Sequence, residues 1–205
     1  MVPSHLRVEH SPAGYRRLLL SRPERRNALD VGLAQALRDA LGQDREAPVV
    51  LGSTDPRVFC AGADLTLPDA DRAMVSDLLY ECYEIMITRA GPVIAVVTGP
   101  AVGGGAQLAA AADLRIAGPA ARLRWTGPPG RGLAVGAWVL TDLVGRGTAM
   151  ELALTGRWVE AGEALTMGLV NRVEDDPVAA AASSAAGGLL HRLHAEAQAN
   201  RSAWA

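Results

Sequence analysis

Cysteine is scarce in this chain, since its 205 residues include only Cys60 and Cys82. Two cysteines are too few for a disulfide framework, and we expect both to be reduced thiols. The stretch from Met1 to His10 lacks the apolar core of a signal peptide, and no segment reaches the unbroken apolar length of a transmembrane helix. These absences predict a cytoplasmic protein with no membrane partner.

Histidine, aromatic residues and excess charge are also sparse. The net charge of −2 offers no electrostatic basis for binding nucleic acid or an anionic membrane. The four histidines lie at the two ends of the chain: His5, His10, His191 and His194. This placement disfavours a Ser-His-Asp triad and a histidine-based metal site, so no metal is expected. With one Phe and three Tyr, the core must be built mainly from Ala, Leu and Val.

Apolar periodicity predicts strands that alternate with helices, which is typical of an α/β fold with largely parallel pairing. The length fits one domain. We expect a core over residues 1–174 and a short C-terminal helical tail over residues 175–205. The predicted strands cover residues 6–10, 15–20, 49–53, 92–97, 114–117 and 169–173. The predicted helices cover residues 27–41, 69–89, 104–112, 133–143, 148–154 and 177–194.

The most informative segment runs from Pro92 to Ala117. A β-branched run, typical of a buried strand, stops at Gly99-Pro100, and three glycines, Gly103 to Gly105, then open an Ala-rich helical stretch. Glycines at a strand-to-helix turn let backbone N–H groups approach a ligand at the positive end of a helix. Such a turn suits an oxyanion.

A second turn has the same design. Phe59-Cys-Ala-Gly-Ala-Asp-Leu65 follows a strand and turns at Gly62. If the two strands are neighbours, the amides of Ala63 and Gly104 converge on one point. Two such donors would stabilise the anion formed from a thioester, each typically by roughly 2.7–4 kcal/mol. The alternative is that both glycine turns are only tight connections, and the residues alone leave both interpretations open.

Several ordered motifs resemble the crotonase superfamily, which includes enoyl-CoA hydratases and isomerases. The resemblance runs from about Leu18 to Val173. It rests on Ser21-Arg-Pro-Glu-Arg-Arg-Asn-Ala-Leu29, Phe59 to Leu65, Pro92 to Ala117, Met150-Glu-Leu-Ala-Leu-Thr-Gly-Arg157, Glu163-Ala164 and Gly168-Leu-Val-Asn-Arg-Val173.

The resemblance implies a crotonase-like spiral of ββα units. It also implies a coenzyme A thioester as substrate or ligand, with no other cofactor. The backbone N–H groups of Ala63 and Gly104 would form the oxyanion pair. A homotrimer or hexamer is expected by the same analogy.

The resemblance also places the coenzyme A arm. Arg25 and Arg26 would lie near its nucleotide end, and the loop that includes Ala61 and Gly62 near its pantetheine. Guanidinium groups suit phosphates, and an extended thioester arm can pair with exposed backbone. The alternative for the two arginines is that they are solvated loop charges.

The sequence departs from the family pattern where a hydratase carries two glutamates that place and deprotonate water. The first position is Gln107, whose amide can hold a water but cannot accept its proton at neutral pH. The second position falls on Gly127 when counted forward from Arg122. It falls on Trp125 when counted backward from Gly145, because the loop is about two residues shorter. Neither count supplies a carboxylate.

Four aspartates are candidates to replace the missing glutamates: Asp64, Asp69, Asp71 and Asp142. Asp64 is nearest in sequence to the predicted oxyanion loop, although such a residue more often caps a turn.

Two tryptophans flank the altered loop. Trp125 and Trp138 either line an acyl pocket for a planar group or serve as simple packing.

The predicted function is that of an acyl-CoA-binding protein with an oxyanion hole and an altered acid–base set, related to enoyl-CoA hydratases and isomerases. In an active enzyme, Gln107 would orient water or substrate, and Asp64 or the substrate itself would supply the base. The rival prediction is a non-catalytic helper subunit of a partner enzyme. The short tail after Val173 and the loss of both glutamates favour that rival. It resembles the small crotonase-like helpers of bacterial polyketide and dihydroxyphenylacetyl-CoA pathways.

Overall fold

A computed structural model of the protein describes residues 5–125 and 138–187. Gly127, the beginning of the helix predicted over 133–143 and the end of the helix predicted over 177–194 lie outside the described residues. Among the helices within the described ranges, none combines the length and apolar character needed to cross a bilayer.

The strands within the described ranges are β1 (Leu6–His10), β2 (Arg16–Leu20), β3 (Val49–Ser53), β4 (Val93–Val97), β5 (Pro100–Val102), β6 (Leu114–Ala117), β7 (Arg122–Arg124), β8 (Val159–Glu160) and β9 (Arg172–Val173). The α-helices are α1 (Val31–Gly42), α2 (Asp69–Thr88), α3 (Gly104–Ala110), α4 (Trp138–Thr155), α5 (Ala161–Thr166) and α6 (Pro177–Ala186).

The larger sheet has six strands in the order β1-β2-β3-β4-β6-β9. Only the β1–β2 hairpin is antiparallel, and the other neighbours pair in parallel. Parallel strands between helices are buried on both faces, which explains the unbroken apolar runs of β3 and β4. Mixed α/β architecture and mainly parallel pairing are therefore confirmed.

Alternate side chains of the central strands point to opposite faces of the sheet and pack in two separate cores, as the two-residue period of a strand requires. Leu51 and Ala95 face the main core, which α1, α2 and α3 cover. Ile94 and Val96 face the opposite side and pack with Ala181 of α6. Helix α6 thus packs on the second face of the sheet.

A smaller sheet in the order β5-β7-β8 was missed by the sequence prediction. Its strands have only two or three residues, too few to show a period. Its register pairs Val102 with Arg124, and the next N–H, that of Gly103, donates to the Arg124 carbonyl at 2.9 Å. This small sheet therefore fixes the turn that begins α3.

The helix predicted over 27–41 begins later, at Val31. Asp30 caps it by accepting the Leu33 N–H at 2.8 Å. Asn27 has a positive φ of 53° and is fully buried. Its side-chain amide donates to Ser53 Oγ at 2.7 Å and to the Phe59 carbonyl at 2.9 Å. These tertiary hydrogen bonds hold residues 27–30 as a loop.

One further prediction needs correction: the strand predicted over 169–173 is confined to Arg172–Val173.

The two helices predicted over 133–143 and 148–154 correspond, within the described residues, to the two halves of α4, which break at Gly145, where φ is +75°. A break at glycine is expected because only glycine takes that conformation without strain.

Candidate active site

The two glycine turns predicted from sequence contact each other. The Val102 N–H donates to the Cys60 carbonyl at 2.9 Å, and the Cys60 N–H donates to the Pro100 carbonyl at 3.2 Å. At Gly62, a Cβ atom would lie 2.7 Å from the Val102 carbonyl oxygen and 3.6 Å from the Gly104 nitrogen. The chain after β5 thus crosses directly over the 59–65 loop.

The backbone N–H groups of Ala63 and Gly104 lie at this crossing. Leu29 bridges the loop in parallel: its N–H donates to the Gly62 carbonyl at 2.8 Å, and its carbonyl accepts from Asp64 at 2.9 Å. In this pattern the N–H of the middle residue, Ala63, points away from the bridging strand. Neither the Ala63 N–H nor the Gly104 N–H has an acceptor among the described residues.

The floor under the crossing is apolar and tightly packed. A Cβ atom at Gly104 would lie 2.9 Å from Leu79 Cδ1 and 3.2 Å from Leu29 Cδ1. One at Gly105 would lie 2.5 Å from the Cys60 carbonyl oxygen. The glycines at 104 and 105 therefore let α3 start directly against this floor.

The Cys60 thiol lies within this packing. It is fully buried, and its Sγ donates to the Asn27 carbonyl at 3.1 Å. Burial raises the pKa of the Cys60 thiol to about 12. A neutral thiol of this kind is not a nucleophile at physiological pH.

Gln107 is fully buried on α3, and Tyr83 of α2 determines its orientation. The Tyr83 hydroxyl donates to Gln107 Oε1 at 3.0 Å. Within the described ranges, Gln107 Nε2 has no hydrogen-bond partner. Burial raises the pKa of Tyr83 well above its ordinary value, so the phenol stays neutral and remains a donor.

Tyr83 is the functional candidate that sequence reasoning missed. On the same helix, Tyr80 is 47% exposed and Met74 is 50% exposed. Tyr83 is 1% exposed instead. The available indication was its position four residues after Leu79, which places the two on the same helix face.

Asp64 is committed to its own loop. Its carboxylate accepts from the Thr66 N–H at 3.0 Å, from the Thr66 hydroxyl at 2.7 Å and from Arg22 Nη1 at 2.8 Å. Hydrogen bonds from Thr66, aided by the charge of Arg22, lower the pKa of Asp64 to about 2. A carboxylate so stabilised is a weak base, and this geometry favours the turn-cap interpretation.

Arg25 and Arg26, which are predicted to lie near the nucleotide end of coenzyme A, belong to the loop before α1. Arg25 ends a 3-10 turn that begins at Pro23, and the side chains of Arg25 and Arg26 are exposed. The Arg26 carbonyl accepts the Ala61 N–H at 3.0 Å. The structure therefore brings the backbone of this loop to the 59–65 loop and leaves both guanidinium groups at the surface.

The structure places the side chain of only one of the two tryptophans predicted to flank the altered loop. Trp125 is 1% exposed and directly follows Arg124, the acceptor of the Gly103 N–H. Its Nε1 has no acceptor among the residues described. Trp138 opens α4, and its side chain lies outside the described part of the chain.

The other three candidate acids lie on α2 and α4. Asp69 and Asp71 lie in the first turn of α2, where Asp69 pairs with Arg72, and Asp142 is exposed on α4. A search of the described ranges finds no metal-binding group of three or more His, Cys, Asp or Glu residues.

Comparison with known proteins identifies the class to which this fold and site belong. The profile of the enoyl-CoA hydratase/isomerase family matches residues 12–202, so the chain belongs to that family. The predicted crotonase resemblance is thereby confirmed at the level of the superfamily and the fold.

Particular relatives agree with this assignment. The chain is 40% identical over 164 residues to a probable enoyl-CoA hydratase of Mycobacterium leprae, covering 75% of this chain and 65% of that protein. Among solved structures, an enoyl-CoA hydratase from Bacillus anthracis has a TM-score of 0.83 at 30% identity, over 88% of this chain and 75% of that one. A monofunctional enoyl-CoA isomerase from M. smegmatis has a TM-score of 0.80 at 30% identity, over 98% and 92%.

Proposed function

We propose that this chain binds an acyl-CoA thioester and polarises its carbonyl oxygen between the backbone N–H groups of Ala63 and Gly104. The observation that carries the proposal is the contact of the two glycine turns, which leaves both N–H groups without an acceptor among the described residues. Preorganised donors in a buried site stabilise developing negative charge, typically by roughly 2.7–4 kcal/mol each. Family membership makes a coenzyme A thioester the natural ligand.

The proton-transfer half of the site differs from that of a hydratase with two glutamates. Gln107 has no carboxylate, and the Asp64 carboxylate is held by Thr66 and Arg22. General acid–base catalysis typically contributes about 10²–10⁴-fold. We therefore propose a site that polarises the thioester while hydrating an enoyl-CoA only slowly.

Binding and hydration are measured separately. We expect calorimetry to detect butyryl-CoA binding, and Gly104→Ala to weaken it at least about 10-fold by displacing the turn. Gly147→Ala is the matched control, since nothing lies within 4 Å of a Cβ atom at Gly147. Equal affinities for the two variants contradict the proposed oxyanion pair. Crotonyl-CoA hydration at ordinary enzyme rates, retained after Asp64→Asn, contradicts the proposed lack of a base.

A second candidate is a binding subunit whose partner enzyme supplies the base. One observation favours it: the carboxylate of Asp64, the acid in the 59–65 loop, already accepts three hydrogen bonds. Crotonyl-CoA hydration by the isolated chain separates the two candidates. A slow enzyme hydrates crotonyl-CoA faster than buffer alone, whereas a helper subunit binds butyryl-CoA but does not accelerate hydration.

By analogy with the family, we also propose a homotrimer or hexamer. Light scattering coupled to size-exclusion chromatography measures this directly, and a monomer at micromolar concentration contradicts it.

A further inference from the structure

We infer that Tyr83 fixes the Gln107 amide with its NH₂ group toward the acyl site, so that the site selects acyl groups with a carbonyl oxygen near the thioester, 3-oxoacyl-CoA being the simplest. The inference rests on the proposed thioester binding. It adds a positioning residue, Tyr83, and a substrate class.

The hydrogen bond from Tyr83 determines which way the Gln107 amide points. With Oε1 toward Tyr83, the phenol hydrogen has an acceptor and one group, the NH₂ of Gln107, is left for a ligand. In the flipped amide, the phenol hydrogen would have no acceptor among the described residues. Buried polar groups are nearly always paired, so the orientation that satisfies Tyr83 is the stable one.

Helix geometry places Gln107 on the face of α3 that carries Gly104. Gln107 lies three residues after Gly104, on the same face of α3, and helical side chains lean toward the N-terminus. The partners on α2 are spaced alike: Leu79 packs under Gly104, and Tyr83 contacts Gln107 four residues further along. Oε1 faces Tyr83, and we place the NH₂ group on the Gly104 side of the α2–α3 contact.

The surroundings of this NH₂ group are poor in acceptors. Gln107 is fully buried, so water does not substitute freely for a partner. Trp125, beside the same turn, adds another buried N–H without an acceptor in the described ranges. The nearest described carboxylate in the 59–65 loop, that of Asp64, is occupied by Thr66 and Arg22.

A buried donor without a partner discriminates between acyl groups. A site built to hydrogen-bond a substrate rejects the analogue that lacks the matching group, because its own buried polar atom is then left unpaired. A 3-oxo oxygen accepts a hydrogen bond from Gln107 Nε2, whereas a saturated chain leaves that nitrogen buried without a partner.

The test compares acetoacetyl-CoA with butyryl-CoA, which differ only in the 3-oxo group, by calorimetry on the full chain. We expect the wild-type protein to bind acetoacetyl-CoA about 10-fold more tightly. Gln107→Leu should reduce this affinity ratio to about 1. Gln107→Glu, which places a carboxylate oxygen against the ketone, should reverse it. Tyr83→Phe, which frees the amide to flip, should reduce it to about 3 or less.

Tyr80→Phe is the matched control, because it removes a hydroxyl from the same helix at a 47% exposed position. Loosened packing would lower both affinities and leave their ratio unchanged, so the ratio distinguishes positioning from a structural role. Equal wild-type affinities, or equal ratios in Tyr83→Phe and Tyr80→Phe, overturn the inference. Failure of every ester to bind overturns the proposed function and this inference together. The isosteric Gln107→Glu variant keeps the test decisive if Tyr83→Phe does not fold.

Discussion

Gly62 is subject to two separate constraints where the turns cross. Its φ is +86°, a region that residues with a Cβ atom rarely adopt, and a Cβ atom there would lie 2.7 Å from the Val102 carbonyl oxygen. Gly14 shares the first constraint, with φ +83°, but nothing lies within 4 Å of its Cβ position. A comparison of Gly62 with Gly14 therefore separates the effect of a positive φ from the effect of a close backbone contact.

We expect Gly14→Ala to cost about 1–2 kcal/mol of unfolding free energy, from the positive φ alone. Gly62→Ala should cost about 1–3 kcal/mol more, because the Val102 carbonyl must also shift. Urea denaturation of both variants measures the difference. Equal losses would mean that the crossing adapts freely and that its geometry does not depend on glycine.

Asp64 should make folding stability depend on pH in the acid range. Its folded pKa of about 2 lies below the ordinary value of 3.8, so its contribution is complete above about pH 4 and disappears as the pH falls toward 2. The contribution should be about 2 kcal/mol at most.

The pH dependence is measured by comparing Asp64→Asn with wild type. Unfolding free energy, followed from pH 6 to pH 2, should fall less steeply for Asp64→Asn. Asp175→Asn, at an exposed position, is the control and should follow wild type. A wild-type slope in Asp64→Asn would contradict the assignment.

At the scale of elements, α6 depends on its first residues because it packs mainly through alanines. Ala181 and Ala185 fill the second face of the sheet, and small side chains contribute little apolar area. Asp176 caps the helix by accepting the Ala179 N–H at 2.9 Å, and Pro177 occupies the first helical position. Proline is favoured there, since its fixed φ suits the first turn.

Asp176→Ala should therefore lower the free energy of unfolding by about 1 kcal/mol. Asp175→Ala, one residue earlier and also exposed, should cost a few tenths at most. Thermal unfolding followed by circular dichroism measures both. A larger effect at Asp175 than at Asp176 would contradict the capping assignment.

The elements show where sequence patterns suffice. Long apolar runs predicted β3 and β4 to within a residue, because burial on both faces leaves an unambiguous pattern. The helix predicted over 69–89 matches Asp69–Thr88, because apolar residues recur along one face of it. The predicted start of α1 was wrong, because the hydrogen bonds that hold Asn27 in a loop go to distant parts of the chain.

The candidate site shows the same limit. The sequence placed Ala63 and Gly104 on two similar turns, and the structure brings those turns into contact. It did not indicate Tyr83, because the contact with Gln107 exists only when α2 packs on α3. The roles of Arg25 and Arg26 remain a prediction, as do those of Trp138 and Gly127.

For the molecule as a whole, the two cysteines report on global opening. Cys60 and Cys82 are both fully buried, and burial raises the pKa of each thiol to about 12. A thiol reagent at pH 8 should therefore label native protein only as fast as the fold opens.

In denaturant, both thiols should react at once, with a stoichiometry of two per chain. Cys60→Ser and Cys82→Ser, each leaving one thiol, test whether both sites open together. Rapid labelling of one thiol in native protein would show that its part of the core opens independently.

The donors at Ala63 and Gly104 belong to the main chain, whereas the group at position 107 is a side chain, and this difference has a genetic consequence. No codon change other than one to proline removes a backbone N–H, so any lineage that retains this fold retains the donors. Glutamine and glutamate codons differ by a single base. A proton acceptor at position 107 can therefore be gained or lost in one mutational step while the donors on either side of the crossing persist.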